Sequence, residues 1–158
     1  KALRLGGDAG RLEVRGLSLP DDACTVAFWC RRGKTGESVA IEGHNRRFLV
    51  RFRGTGDVSA GYYRNPKDEV RVNGGQAIED GDWFHFAVSF GADVRVYVNG
   101  ELLGSRQVMK SHQYTADVDA RATMLNLLVG EQGAIDEVKV WNEVLPPSLV
   151  KREFQARG

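Results

Sequence analysis

The chain has 158 residues, 42% of them apolar and 27% charged, which is the balance of an ordinary globular protein. Its length predicts one domain, residues 1–158, large enough to form a core without disulfides. The 22 basic and 21 acidic residues leave a net charge of +1, so no overall field attracts nucleic acid. No apolar run reaches the ~20 residues of a membrane-spanning helix. We therefore expect no nucleic-acid partner and no membrane insertion.

Alternating apolar and polar residues predict short β-strands, of which the first clear one is "CTVAFWC". Its two cysteines, Cys24 and Cys30, are six positions apart, or ~20 Å along a strand, which is too far for a disulfide. They share the parity of Val26 and Phe28. We therefore expect both cysteines to be buried free thiols.

Further strands follow in chain order with the same alternation. The apolar positions of the next three are Phe48, Val50 and Phe52, then Phe84, Phe86, Val88 and Phe90, then Val94, Val96 and Val98. His85 and Arg95 have the opposite parity in their strands. In the last strand the pattern places Ile135, Glu137, Lys139 and Trp141 on one face and Asp136, Val138 and Val140 on the other.

Glycine marks the turns between these strands: the chain has 19 Gly and only 4 Pro, and turn signals recur every eight to twelve residues or so. Asn99-Gly100 predicts a tight type I′ hairpin turn. Only "PPSLVKREFQ" predicts a helix, with Leu149, Val150 and Phe154 on one side. The predicted fold is all-β, a two-sheet antiparallel jelly-roll sandwich with one short C-terminal helix.

Three stretches together resemble a known family. "WFHFAVSF" followed by "VRVYVNGELLGS" is similar to the signature of laminin G-like jelly-roll domains of the concanavalin A-like lectin/glucanase superfamily. "ALRLGG" with "RLEV", and "CTVAFWCRR", resemble two early strands of that family. "LLVGEQGAIDEVKVWNEVLPPSLV" resembles its closing strand and helix.

The resemblance implies two antiparallel sheets packed face to face and curved, so that one outer face is concave. It also implies an extracellular, cell-surface or periplasmic module that binds sugars, proteins or both. We expect the chain, which starts abruptly at "KALRL", to come from a larger protein carrying catalytic or surface domains.

Catalysis is not expected. The glucanases of this fold carry two glutamates around an aspartate on one strand, because two carboxylates must flank the glycosidic bond. In "GAIDEV", Ala134 stands where the first glutamate is required, and only Asp136 and Glu137 remain. Adjacent residues of a regular strand point to opposite faces. We therefore expect a protein that is not an enzyme.

A structural calcium ion is implied by the resemblance. Family members often hold Ca²⁺ between acids near the opening strand and the aspartate of "IDE", to which Asp136 corresponds. Asp8 in "LGGDAGRL" is the candidate second acid, although glycines occupy the usual acidic positions. Calcium takes hard oxygen ligands of this type. The alternative is that Asp136 braces a turn.

The aromatic residues divide into two groups. Trp29, Trp83 and Trp141 match framework positions of the family, so we expect them to pack rather than to stack on sugar. We expect His85 to be a buried hydrogen-bonding residue of the same framework. The ligand candidates lie outside that framework, where a ring has polar neighbours that suit a sugar: Tyr63, His112 and Tyr114.

The arginines between positions 46 and 71 supply the other ligand candidates. Arg51 and Arg53 have the parity opposite to the apolar residues of their strand, and Arg64 and Arg71 follow on the predicted neighbouring strands. If they share one face, they form a cationic trough for carboxylate or sulfate groups. The alternative is a solvated face whose charge is balanced by Asp57, Asp68 and Glu69.

The leading interpretation is a non-catalytic carbohydrate-binding module that recognises a polysaccharide or glycoconjugate on the concave face or adjoining loops. If the arginines form a trough, the glycan is expected to be acidic. The first alternative is a protein-interaction or adhesion module that uses the same face against an acidic partner. The second is a structural spacer. Binding to a panel of glycans separates the first interpretation from the other two.

Overall fold

The structure is a computed structural model, and it describes residues 10–15, 23–31, 39–43, 48–52, 57–62, 70–73, 81–107, 124–129 and 134–156. Within them lie eleven strands and one helix. The strands are β1 (Gly10–Arg15), β2 (Cys24–Arg31), β3 (Val39–Gly43), β4 (Phe48–Phe52), β5 (Asp57–Tyr62), β6 (Val70–Asn73), β7 (Trp83–Phe90), β8 (Asp93–Val98), β9 (Glu101–Gln107), β10 (Met124–Val129) and β11 (Ala134–Trp141), and the helix is α1 (Pro147–Gln155).

The strands form two antiparallel sheets. The six-stranded sheet has the order β1-β10-β3-β4-β5-β6, and the five-stranded sheet has the order β11-β2-β7-β8-β9. The two sheets approach each other where β5 and β6 lie near β8 and β9. This arrangement confirms the predicted all-β, two-sheet fold with one short helix.

The core face of the five-stranded sheet follows the predicted alternation. Phe28 and Phe86 are paired in register and their ring centroids lie 5.4 Å apart. Each fully buried side chain of this kind contributes about 1.5–3 kcal/mol to folding. The other buried residues of this face include Val26, Phe84, Val88, Phe90, Val94, Val96, Val98 and Ile135.

The two cysteines belong to the same core. Cys24 and Cys30 are both buried and neither forms a disulfide, as predicted. Burial raises the pKa of the Cys30 thiol well above its ordinary value, because the thiolate would lose its hydration. Both thiols are therefore structural residues of β2.

A tight turn joins β8 to β9 at Asn99-Gly100. The φ angles there are 49° and 79°, which confirms the predicted turn with positive φ at both positions. The turn is tied back to β7, because the Asn99 N–H donates to the His85 carbonyl (2.8 Å) and the His85 N–H donates to Asn99 Oδ1 (3.0 Å). The hairpin therefore fixes the backbone around His85.

The last strand differs from its predicted alternation. Asp136 pairs with Trp29 and Lys139 pairs with Ala27, so β11 has one residue more than β2 between the two pairs. The extra residue is a β-bulge, and Glu137 has a φ of 50° within it. The predicted parity is therefore wrong. Asp136, Lys139 and Trp141 share one face of the sheet, while Ile135 and Val140 share the other.

Helix α1 packs on the outer face of the five-stranded sheet, the face turned away from the core between the sheets. Val150 is buried and Leu149 packs beside it, as the helix pattern predicts, and Phe154 contacts the same face. The sheet contributes small residues and one tyrosine to this second cluster: Ala27, Ala87 and Tyr97. The described residues contain no helix with the length and hydropathy needed to cross a membrane.

The segment before α1 is anchored by one buried hydroxyl. Thr25 Oγ1 donates to the carbonyl of Glu143 (2.8 Å) and accepts from the N–H of Leu145 (3.0 Å). It also lies 3.1 Å from the hydroxyl of Ser89. A buried hydroxyl with three partners is fully satisfied, so the chain enters α1 at a fixed position on β2.

Candidate functional site

The outer face of the six-stranded sheet carries the charged residues that the sequence singles out. Ala60 of β5 is fully buried, so its side of the sheet faces the core. Residues paired directly across antiparallel strands share a face. The row that contains Ala60 is otherwise apolar, and its members are Leu12, Leu127, Ile41, Val50 and Val70.

The adjacent row, one residue along each strand, lies on the outer face and contains arginines. Ser59 pairs with Arg51 on one side and with Arg71 on the other. The two arginine positions are thus two strands apart, about 10 Å at the usual interstrand spacing. The structure therefore brings two of the four predicted arginines into one row.

The same row reaches an arginine that the sequence reasoning missed. From Arg51 it continues through Ala40 and Leu128 to Arg11 on the edge strand β1. The available signal was the parity of Arg11, which alternates with Leu12 in "GRLEV". It was overlooked because it lies forty residues before Arg51, and only the sheet order places both in one row.

Acidic residues occupy the neighbouring rows of this outer face. Glu13 and Glu42 share the next row with Asn126, and Asp57 pairs with Asn73 two residues before Ser59. Asp57 was predicted to balance the arginines, and its position on their face agrees with that alternative. The face is therefore a basic row between mixed rows rather than a uniformly cationic surface.

The other predicted ligand residues lie outside the described residues: Arg53, Tyr63, Arg64, His112 and Tyr114. Arg95, whose parity is opposite to that of the apolar residues of its strand, lies on β8 of the five-stranded sheet. Its guanidinium pairs with Asp93 Oδ2 at 2.9 Å, and this hydrogen bond raises the pKa of Arg95. Arg95 therefore belongs to neither the row nor its face.

The framework aromatics pack as predicted. Trp29 and His85 are paired in register on the outer face of the five-stranded sheet, with 8% and 3% of their surface exposed. Their ring centroids are 5.5 Å apart, and the Phe154 ring lies 5.7 Å from Trp29 and 6.1 Å from His85. This pocket is closed by α1, so its rings are not a platform for a sugar.

Trp83 lies two residues before His85 on the same face of β7. The guanidinium carbon of Arg31 lies 5.8 Å from the centroid of its ring, which is within the range of a cation–π contact. Both side chains are partly buried. The arginine therefore packs on the ring of a framework residue, as expected for a structural role.

Asp136, the predicted calcium ligand, is partly buried on β11. Its Oδ1 accepts the N–H of Glu137 at 2.9 Å, so the carboxylate braces the bulge. Calcium takes six to eight oxygen ligands. The part of the chain that the structure describes has no group of three acidic, His or Cys side chains arranged for a metal. Asp8 lies outside it, and the described residues do not by themselves form a calcium site.

The glucanase motif is interrupted in the strand as well as in the sequence. Ala134, at the position of the first glutamate, is fully buried and paired with Arg31. Glu137 lies in the bulge and is exposed. The regular alternation on which an arrangement of facing carboxylates depends is therefore absent between Asp136 and Lys139.

Solved structures with similar folds include binding domains and a pentraxin. The native heptameric SAP-like pentraxin from Limulus polyphemus is 18% identical, with a TM-score of 0.64 over 94% of this chain and 76% of that one. A botulinum neurotoxin type C structure, whose cell entry depends on two ganglioside molecules, is 12% identical, with a TM-score of 0.63. The binding domain of botulinum neurotoxin DC in complex with rat synaptotagmin II is 12% identical, with a TM-score of 0.61. At these identities the likeness concerns the fold.

The two toxin matches cover most of this chain but only about a third of each toxin chain. The matches span 85% and 86% of this chain but 36% of each toxin chain. No curated protein is detectably similar to the chain in sequence. A laminin G family model, described as the concanavalin A-like lectin/glucanases superfamily, matches residues 5–151. The chain therefore belongs to the concanavalin A-like lectin/glucanase superfamily.

Proposed function

We propose that this protein is a non-catalytic carbohydrate-binding module that holds an acidic glycan on the outer face of its six-stranded sheet. The observation that carries the proposal is the register that places Arg11, Arg51 and Arg71 in one row. Guanidinium groups bind carboxylates and sulfates through paired hydrogen bonds. The ganglioside interaction of the toxin with a similar fold is consistent with a glycoconjugate ligand.

The mixed charges of this face fit weak binding at each site. Glu13, Glu42 and Asp57 reduce the field of the arginine row, so a single site would hold few anionic groups. Useful binding would then come from tethering the module to an enzyme or a surface, which raises the effective concentration of the ligand. We place such a module outside the cell, on the cell surface or in the periplasm.

The remaining candidates contribute at the margins of the same face. Arg53 and Arg64 would extend the cationic row, and Tyr63, His112 and Tyr114 would stack on the sugar or donate hydrogen bonds to it. Calcium bound between Asp8 and Asp136 would be structural, and we expect a chelator to leave retention by the arginine row intact.

Native gels containing polysaccharide test the proposal. We expect a sulfated or uronic polymer to retard the wild-type protein, and the double substitution Arg51→Ala/Arg71→Ala to abolish most of that retardation. The matched control is Arg106→Ala/Arg152→Ala, which removes the same charge from exposed positions on β9 and α1. Equal retardation of the two variants would mean that net charge alone causes it, and free migration of the wild type through every gel would refute glycan binding.

A protein-interaction module is the second candidate, because a similar toxin domain is in complex with synaptotagmin II. An acidic protein surface would meet the same arginine row. If the protein migrates freely through every polysaccharide gel, we expect an acidic partner to be recovered from a surface extract by the wild-type protein and by the Arg106→Ala/Arg152→Ala control, and not by Arg51→Ala/Arg71→Ala. Equal recovery by all three proteins would remove the row from this function as well.

A further inference from the structure

The C-terminal helix closes over a buried histidine. Phe154 near the end of α1 lies 5.7 Å from Trp29 and 6.1 Å from His85, measured between ring centroids. His85 is only 3% exposed, although it lies on the outer face of its sheet. The helix is therefore what separates this imidazole from water.

The pocket suits a neutral imidazole and not a charged one. Within the described part of the chain, Nδ1 of His85 is buried and has no hydrogen-bond partner. Its nearest rings, those of Trp29 and Phe154, offer no acceptor in the ring plane. An imidazolium carries two N–H donors, so at least one would be buried and unpaired in this pocket.

The charged groups around His85 come from two of the elements packed against it. Burial is the main cause that lowers the pKa of His85 to about 4, Lys139 of β11 lowers it further, and Glu153 of α1 raises it. Lys139 and Glu153 are themselves paired at 2.8 Å, so neither is a dedicated partner of the imidazole. The neighbours from β2 and from the β8–β9 turn, Trp29 and Asn99, do not ionise.

The two ends of α1 are held differently. At the start, Val150 and Leu145 are buried against the sheet, and Thr25 binds the backbone of the preceding segment. At the end, the contacts between described residues include Phe154 on the rings of Trp29 and His85, and the β8–β9 turn at Gly100, which approaches the helix closely. They also include two exposed ion pairs, Lys139–Glu153 and Lys151–Glu101. Exposed ion pairs contribute little to the free energy that holds a helix in place. We therefore expect the last turns of the helix to open before its start.

We propose that α1 is an acid-released strap, whose last turns lift from the five-stranded sheet when His85 takes up a proton. The proton binds Nδ1, and the imidazolium then gains water that the docked helix excludes. Lifting uncovers the rings of Trp29 and His85 while the Thr25 anchor holds the start of the helix in place. The protein would thus present an additional aromatic surface in an acidic compartment and hide it near neutral pH.

The expected size of the effect follows from linkage. A pKa of about 4 when docked and 6.5 when released makes the opening constant of the helix end about 20-fold larger at pH 5 than at pH 7. The direction of the pH effect follows because the docked helix accommodates the neutral imidazole of His85 and not the charged one. Docking is strongest above pH 6.5 and weakens as the pH falls from 6.5 towards 4.

Amide hydrogen exchange at pH 7 and pH 5, corrected for the intrinsic exchange rate, measures this opening. We expect the amides of residues 152–156 to open about 20-fold more at pH 5 than at pH 7 in the wild type, and this increase to be lost in His85→Phe. The ion pairs of Glu153 and Glu101 are present in both proteins, so their contribution cancels in the comparison. An equal increase in both proteins would overturn the proposal.

Two further readouts distinguish a strap from general acid unfolding and from a misfolded variant. The amides of Phe28 and Phe86 in the core strands should keep their protection at pH 5, and their opening together with the helix would overturn the proposal. In the wild type alone, the three histidine ring signals can be followed by NMR, with that of His85 titrating near pH 4. A His85 pKa near 6.5 in the folded protein would also overturn it.

Discussion

The outer face of the five-stranded sheet and the outer face of the six-stranded sheet arise from the same alternation of residues along their strands. On the first, the outward positions beneath α1 include small and aromatic residues such as Ala87 and Tyr97, which the helix buries. On the second they include arginine, serine and glutamate, such as Arg51 and Glu42. The comparison shows that alternation identifies the two sides of a strand, whereas the composition of its outward side indicates whether another element covers it.

The largest expected effect tests whether the covered face behaves as a core. Trp29→Ala should reduce the free energy of unfolding by about 3–5 kcal/mol, because it removes a nearly fully buried ring that touches both His85 and Phe154. Trp83→Ala, one step along the same face and only partly buried, is the matched control with an expected loss of about 1–2 kcal/mol. Urea unfolding followed by circular dichroism gives both values, and equal losses would mean that α1 adds nothing to the burial of Trp29.

A pair of glycines gives the next largest effect and isolates the contact between the helix and the hairpin. Gly100→Ala should reduce the free energy of unfolding by about 2–4 kcal/mol. The backbone at this position has a positive φ, and the new Cβ would lie 3.2 Å from both Lys151 Cα and the Phe154 ring. Gly81, the site of the control Gly81→Ala, has a similar φ of 89°, and no atom of the described residues lies within 4 Å of a Cβ built there. The control should therefore cost only the conformational strain of about 1–2 kcal/mol. Equal midpoints in urea for the two variants would show that α1 does not press on the turn.

The smallest expected effect comes from the arginine row of the six-stranded sheet. Arg51→Ala/Arg71→Ala should change the free energy of unfolding by no more than about 0.5 kcal/mol, as is usual for surface substitutions. The same urea experiment measures it. A loss as large as that of Gly100→Ala would show that the arginine row stabilises the fold. The two outer faces would then not differ in the way described above.

Much of this arrangement could be predicted from local patterns. The strands around Phe28, Phe86 and Val96 show regular alternation over six residues or more, and the Asn99-Gly100 turn needs residues that tolerate positive φ. Such signals are short in range, so they survive without knowledge of the partner strands. The burial of both cysteines followed for the same reason.

The rest depended on information that is distant in the sequence. The parity of β11 fails at Glu137, because neither glutamate nor its neighbours signal a bulge and the extra residue is visible only against β2. The single row of Arg11, Arg51 and Arg71 depends on the sheet order β1-β10-β3-β4-β5-β6. His85 could be predicted to be buried, but the element that buries it lies more than sixty residues later.

The bulge in β11 separates the cost of changing a residue from the cost of losing it. Glu137 is exposed and adopts a φ of 50°, so glycine or asparagine can replace it without steric penalty. Deleting it would instead remove the change of phase between Asp136 and Lys139, and one half of the strand would turn its residues to the wrong side of the sheet. At this position the fold tolerates a substitution far better than a deletion. Related sequences should therefore vary there in residue type while keeping the length of the strand.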